Sequence, residues 1–280
     1  MTEPLDEPVS GLRTLHAAPA DGKPTFVFVN ALTGSTDHWE GAIAPALRAA
    51  GFGTLSYNLR GQSETTVTAD DPLDTAQVVD DLLTVVNARV SGPAIFVGLS
   101  IGGLYATRAI ERGFADAVDV AGLVLINTLR RPGPVLDWTN EAVFRATQLG
   151  GPTLVRDFFL PFLVGPSTLA EMRDACLADA PYEPLGTDTG IYALVERSRT
   201  ADWNVAWDTL DLPVHVLTGM RDRMFLDRAA VDAILGTMPN VEETVFESSG
   251  HLLPIEDPRG VERKLRDFAA RIAPAPASPA

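Results

Sequence analysis

Short apolar runs alternate with amphipathic stretches along this chain, and that alternation restricts its fold more than any other feature. The runs are TFVFVN (25–30), GTLSYN (53–58), AIFVGL (94–99), GLVLIN (122–127), PVHVLTG (213–219) and VEETVF (241–246). All but the last are nearly continuous in apolar character, as strands covered on both faces require. Helical patterns occupy 38–50, 73–90, 101–112, 227–237 and 258–272. Strand–helix alternation of this kind predicts an α/β fold, a mostly parallel sheet flanked by helices. An earlier run, LRTLHA (12–17), reads as an antiparallel edge strand.

One interval breaks the rhythm. From 129 to 207 there is no convincing strand, only helix-like stretches punctuated by proline and glycine. Two ordinary crossover helices would need far fewer residues. The segment is therefore expected to be a helical lid, inserted after the sixth core strand and lying over the sheet's C-terminal edge, where open α/β sheets hold their ligands. The core then comprises 11–128 and 208–273. The proline-rich ends, 1–10 and 274–280, are expected to be disordered tails.

The 280 residues suffice for one sizeable core. With 37 acidic and 22 basic side chains the net charge is −15, which excludes a broad basic footprint for nucleic acid and disfavours an anionic membrane surface. The single cysteine, Cys176, cannot form an intrachain disulfide or a cysteine-rich metal site and reads as a small buried apolar residue. The opening MTEPLDEPVSG lacks a basic region followed by an apolar run, so no signal peptide is expected, and no apolar segment is long enough to span a bilayer. A cytoplasmic location is expected.

The chemistry centres on GLSIGG, where Ser100 sits between glycines at the end of a strand pattern and the start of a helical one. G-x-S-x-G alone is a weak signal. Between a strand and a helix it describes a sharp turn that exposes a hydroxyl at a helix N-terminus, with the Ile101 amide aimed where an oxyanion would form. A serine hydroxyl needs a base. Of the four histidines, His16 lies in the edge strand, His38 at an early helix start and His215 mid-strand, where a hydrogen-bonded core role is expected. His251, in SSGHLLPIEDP after the last strand, falls at the serine's edge of the sheet. The orienting acid is expected at another strand end, and Asp222, just past PVHVLTG, fits. Asp208 and Asp211 precede that strand, and Asp227 is placed to cap the next helix. A second oxyanion donor is expected from the loop after strand 25–30, at the Leu32 amide.

Taken together these residues resemble the α/β-hydrolase superfamily over almost the whole chain apart from the tails and the lid. The resemblance implies Ser100 as nucleophile, Asp222 as orienting acid and His251 as base, with no metal or organic cofactor. Two runs depart from the common pattern. Asn30-Ala31 stands where many members carry His-Gly, and Asn58-Leu59-Arg60-Gly61-Gln62-Ser63 stands where many carry Asp-x-Arg-Gly-His. The Asn-Ala-Leu run, GLSIGG and the strand ending in Asn-Thr are similar to those of 3-oxoadipate enol-lactonases.

The expected activity is hydrolysis of an ester or lactone of a small organic molecule through an acyl-enzyme. A carbon–carbon bond hydrolase of ring-fission products, a cofactor-free dioxygenase or lyase, and a hydrolase-like binding protein remain open alternatives. Haloalkane dehalogenation is disfavoured, because the turn carries a serine instead of a carboxylate. Asn30, Arg130, Trp138 and Trp203 are the substrate-binding candidates. Arg130 or Arg131 is a candidate to hold a substrate carboxylate, with a salt bridge to an acidic residue as the alternative. The other insert aromatics, Phe144, Phe158, Phe159, Phe162, Tyr182 and Tyr192, are divided between insert packing and an apolar pocket. The partner class is a small-molecule substrate, and a homodimer is left open.

Overall fold

In the computed structural model, which describes residues 3–66, 73–174, 176–177 and 181–273, eight strands form one sheet. They are β1 (Leu5–Asp6), β2 (Thr14–Ala17), β3 (Thr25–Val29), β4 (Gly53–Tyr57), β5 (Gly92–Leu99), β6 (Val118–Ile126), β7 (Val214–Gly219) and β8 (Val241–Phe246). Their spatial order is β1-β2-β4-β3-β5-β6-β7-β8. β2 runs antiparallel to β4 and β1 antiparallel to β2, whereas every pair from β4 through β8 is parallel.

Side chains alternate across the sheet, and the two faces carry separate cores. Val27, Val29, Phe96, Leu123, Leu125 and Val216 face one layer, and Phe26, Phe28, Ile95, Val97, Val124 and Leu217 face the other. The first layer is closed by α3 (Thr75–Arg89) and α4 (Ile101–Arg112). α3 turns Val78, Val79, Leu82, Val85 and Val86 inward, the i, i+1, i+4, i+7, i+8 spacing of one helical face. The second layer is closed by α1 (Asp37–Glu40), α2 (Ile43–Ala49) and the last helix, α10 (Pro258–Ile272), through Val261, Leu265, Phe268 and Ala269. Asp74 and Asp257 cap α3 and α10 by accepting from Gln77 and Gly260 backbone N–H groups. Asp227 caps α8 (Arg228–Leu235) through Ala230 N–H, as expected.

Between β6 and β7 the chain forms α5 (Pro134–Leu163), α6 (Pro166–Glu171), α7 (Gly190–Ser198) and a 3₁₀ turn at Trp207–Thr209. No strand occurs there among the described residues. α5 is kinked at Gly151 (φ 65°, ψ −163°), ahead of Pro152, where a side chain would also collide with the Glu183 carbonyl. Cys176 is buried beside Leu160 and Val164. A four-residue helix, α9 (Leu253–Glu256), precedes α10.

Two expectations need correction. The helix expected over 38–50 is two, α1 and α2, separated at Gly41 and Ala42. The stretch 1–10, expected to lack order, contributes β1, which pairs Leu5 with His16. Residues 274–280 lie outside the described residues. Among the described residues no helix is long and apolar enough to cross a membrane.

His215 is buried in β7, with its Nε2 2.9 Å from Thr244 Oγ1. Burial pushes its pKa down to about 4, and the Arg271 and Lys264 cations add to the effect. The unfolded chain therefore binds a proton near pH 6.5 that the folded chain refuses until about pH 4. Stability from this group is complete above pH 6.5 and falls as the pH drops from there towards 4. His215→Gln should flatten part of the decline in melting temperature over that interval. An unchanged slope would remove His215 as its source.

Candidate active site

The C-terminal ends of four parallel strands build the site. β5 ends at Leu99 and α4 begins at Ile101, so Ser100 takes the whole turn, with φ 58° and ψ −125°. This is a costly conformation for a residue with a Cβ, and the surroundings must hold it. The flanking glycines make that possible. A side chain on Gly98 would lie 2.3 Å from the Gly103 backbone, and one on Gly102 would lie 2.3 Å from the Val29 carbonyl oxygen. Ser100 N–H donates to Ile126 O at 2.8 Å, while Ser100 O accepts from Gly103 N–H and from Thr128 Oγ1. Ile101 N–H stands in the first turn of α4, where no helical carbonyl is available to it.

Asp222 follows β7 and His251 follows β8. Asp222 Oδ2 lies 2.6 Å from His251 Nδ1, and both side chains are buried. Asp222 Oδ1 accepts from the Met224 and Phe225 backbone N–H groups at 3.0 and 2.9 Å. Burial acts to raise the Asp222 pKa. The charge and hydrogen bond of His251, the Phe225 N–H and the Arg130 cation outweigh it and hold the carboxyl below its ordinary range. A cavity of ≈ 10 Å³ behind the carboxylate, lined in part by Asn127, Thr128, Thr218 and Phe225, has about the room one water needs.

Ser100 makes its side-chain hydrogen bond with Arg130, not with His251: Arg130 Nη2 donates to Ser100 Oγ at 2.6 Å. Arg130 is buried, and burial lowers its pKa to about 10, still far above neutrality. Its guanidinium carbon lies 4.8 Å from the Trp203 ring centroid and 4.0 Å from that of Phe225. The Phe225 ring also sits 5.0 Å from the His251 ring. The structure thus gathers Ser100, Asp222, His251, Arg130 and Trp203 into one neighbourhood. Trp138 stands 80% exposed on α5, outside these buried side chains. Arg131 is likewise exposed.

Asn30 faces the protein instead of a ligand, contrary to expectation. Its Nδ2 donates to Tyr57 O and Gln62 Oε1, both at 2.9 Å, and its Oδ1 accepts from Trp39 Nε1 at 2.8 Å. Asn58 Oδ1 accepts from Thr36 N–H and lies 3.4 Å from Asn30 Nδ2. Gln62 Nε2 donates to the carbonyls of Ala31 and Leu32 at 2.8 and 3.0 Å. The residues that replace both common motifs are therefore partners of one another. Because a trans peptide points its C=O and N–H in opposite directions, Gln62 turns the Leu32 N–H away from itself.

Sequence reasoning missed Asn127 and Phe225 as parts of the site. Asn127, at the end of β6 with φ 47°, donates from Nδ2 to Gly250 O and His251 O at 2.9 Å and accepts Gly219 N–H at 2.8 Å. It ties the strand end before Asp222 to the loop that carries His251. An asparagine directly after an apolar strand is a signal for such a left-handed position, but its partners are more than 90 residues away. Glu256 likewise accepts from Gly165, Gly250 and Leu252 N–H groups. Among the described residues no three His, Cys, Asp or Glu side chains form a metal-holding group.

Residues 26–264 match the model of a family described as the alpha/beta hydrolase family. A protein of Variovorax paradoxus (strain S110) designated a candidate carbamate hydrolase, RutD, is 23% identical over 264 residues, covering 94% of this chain and 97% of its own. The fold is similar to that of a thermophilic esterase from Thermogutta terrifontis (TM-score 0.73, 23% identity, 98% of this chain and 99% of that one). It is similar also to the enol-lactonase from Burkholderia xenovorans LB400 (TM-score 0.73, 21% identity, 94% and 98%).

Asn127→Ala removes three part-buried hydrogen bonds worth about 1 kcal/mol each and leaves an alanine, with no polar side chain to compensate locally, at positive φ. Chemical denaturation should show a loss of roughly 2–4 kcal/mol. Turnover should fall at least tenfold at temperatures where the variant is folded. Wild-type stability and turnover together would remove the residue from this role.

Proposed function

The chain belongs to the alpha/beta hydrolase family, and on that premise we propose that it hydrolyses an ester or lactone of a small organic molecule through an acyl-enzyme on Ser100. The observation that carries this reading is the buried 2.6 Å contact between His251 Nδ1 and Asp222 Oδ2, together with a serine held on a strained strand-to-helix turn.

The steps follow from the groups present. Ser100 Oγ attacks the substrate carbonyl carbon while its proton passes to His251 Nε2. Asp222 accepts from Nδ1–H, which fixes the tautomer and stabilises the imidazolium. The carbonyl oxygen, now carrying negative charge, is held by the Ile101 and Leu32 N–H groups. Collapse of this intermediate breaks the ester C–O bond, and His251 returns the proton to the leaving oxygen. Water activated by the same imidazole then adds to the acyl-serine and releases the acid and free Ser100. Segment 129–207 serves as the lid in this reading, since Trp203 and the end of α5 lie against the site's own loops. The relatives named as an esterase and an enol-lactonase support the substrate class.

A fluorophosphonate should label the wild-type protein once, with the adduct mass on Ser100 and none on Ser100→Ala. In a panel of p-nitrophenyl esters, lactones and vinylogous diketones, the same substitution should lower turnover of esters or lactones by about a thousandfold or more. Labelling elsewhere, or full activity in Ser100→Ala, would overturn the acyl-enzyme. Turnover of the diketones alone would favour carbon–carbon hydrolysis.

A further inference from the structure

Arg130 is a buried cation with no anion of its own. Among the described residues it forms no ion pair, and its one hydrogen bond goes to the neutral hydroxyl of Ser100. Its Nε is buried without a partner. Two aromatic rings, Trp203 and Phe225, flank the guanidinium and offset part of its lost hydration. Asp222 acts on it only from a distance, because that carboxylate is already held by His251 and two backbone N–H groups. Most of the guanidinium's donors therefore have no acceptor among the described residues.

The acyl-transfer chemistry makes this arrangement more demanding. When His251 accepts the serine proton it becomes a second cation, and the Phe225 ring touches both charges' neighbourhoods. One carboxylate would then serve two cations in a site sheltered from water, which disfavours the protonated base. A second anion beside Arg130 would relieve it.

We propose that this anion belongs to the substrate: the protein acts on half-esters or lactones of small dicarboxylic acids, and Arg130 binds their free carboxylate. The 2.6 Å contact between Nη2 and the nucleophilic oxygen sets the scale, so the carboxylate lies only a few bonds from the scissile carbonyl. A planar guanidinium meets a carboxylate with two parallel hydrogen bonds. Binding would also take Nη2 from Ser100, leaving the hydroxyl to engage His251 alone. This inference rests on the serine-hydrolase reading and names its substrate class.

The test compares monomethyl succinate with methyl butyrate, a neutral ester of similar length, on wild type, Arg130→Gln and Arg130→Lys. Wild type should favour the anionic half-ester by at least tenfold in kcat/KM. Arg130→Gln should erase that preference, chiefly through KM, and Arg130→Lys should retain part of it. In parallel, succinate should raise the melting temperature of wild type and of Ser100→Ala, but not of Arg130→Gln. No anionic preference in wild type, or an equal preference in Arg130→Gln, overturns the proposal. If Ser100 takes the fluorophosphonate while the preference is absent, the hydrolase reading stands and this one falls. If neither ester is turned over and Ser100 is unlabelled, the hydrolase reading falls, and the succinate shift alone decides whether Arg130 is an anion site.

Discussion

The buried hydrogen bond between Asp222 and His251 is the interaction around which the C-terminal edge of the sheet is arranged. A carboxylate and an imidazole are costly to remove from water, so each must be fully satisfied where it sits. The fold meets that need with backbone. Met224 and Phe225 N–H groups take the second carboxylate oxygen. The carbonyls of Gly250 and His251 are pinned by Asn127, whose own oxygen holds Gly219 at the end of β7. Three neighbouring strand ends, β6, β7 and β8, are thus locked together at the point where the pair must meet.

The strained serine turn depends on the same packing logic. Ser100 can keep an unfavourable backbone conformation because the loop around it cannot relax. Gly98 and Gly102 let α4 press against β5 and β3 so closely that a methyl group would overlap backbone atoms. In the loop after β3, Gln62 holds the Ala31 and Leu32 carbonyls by donating to both. The residues that depart from the common family motifs, Asn30, Asn58 and Gln62, form one connected network with Trp39. Two runs far apart in sequence are thereby one hydrogen-bonded cluster in space.

Much of this was legible in the sequence because it rests on local pattern. The central strands are apolar on both faces, and the helices show one apolar side, so both declared themselves. β1 did not: Leu5–Asp6 carries no strand signal and exists through pairing with β2. The break between α1 and α2 was equally hidden inside one amphipathic run. At the site, the positions of Ser100, Asp222 and His251 at strand ends could be read from the order of elements. The environment of Arg130 could not. Whether a cation after a strand is buried against Trp203 and Phe225 or paired at the surface like Arg228 depends on where the insert's last segment lands. Asn30 misled for a related reason, since its complement lies some thirty residues further on.

The end of α5 grips the site through its main chain. Leu163 O accepts from His251 N–H, Phe162 O from Arg223 N–H, and Pro161 O from the Arg223 side chain. Carbonyl oxygens belong to every residue type, so this attachment is blind to the insert's side chains. The insert's other surfaces are free to diversify, even at the exposed Phe158 and Trp138, without loosening the imidazole loop. Such a joint lets the insert vary while the Asp222–His251 pair stays in register.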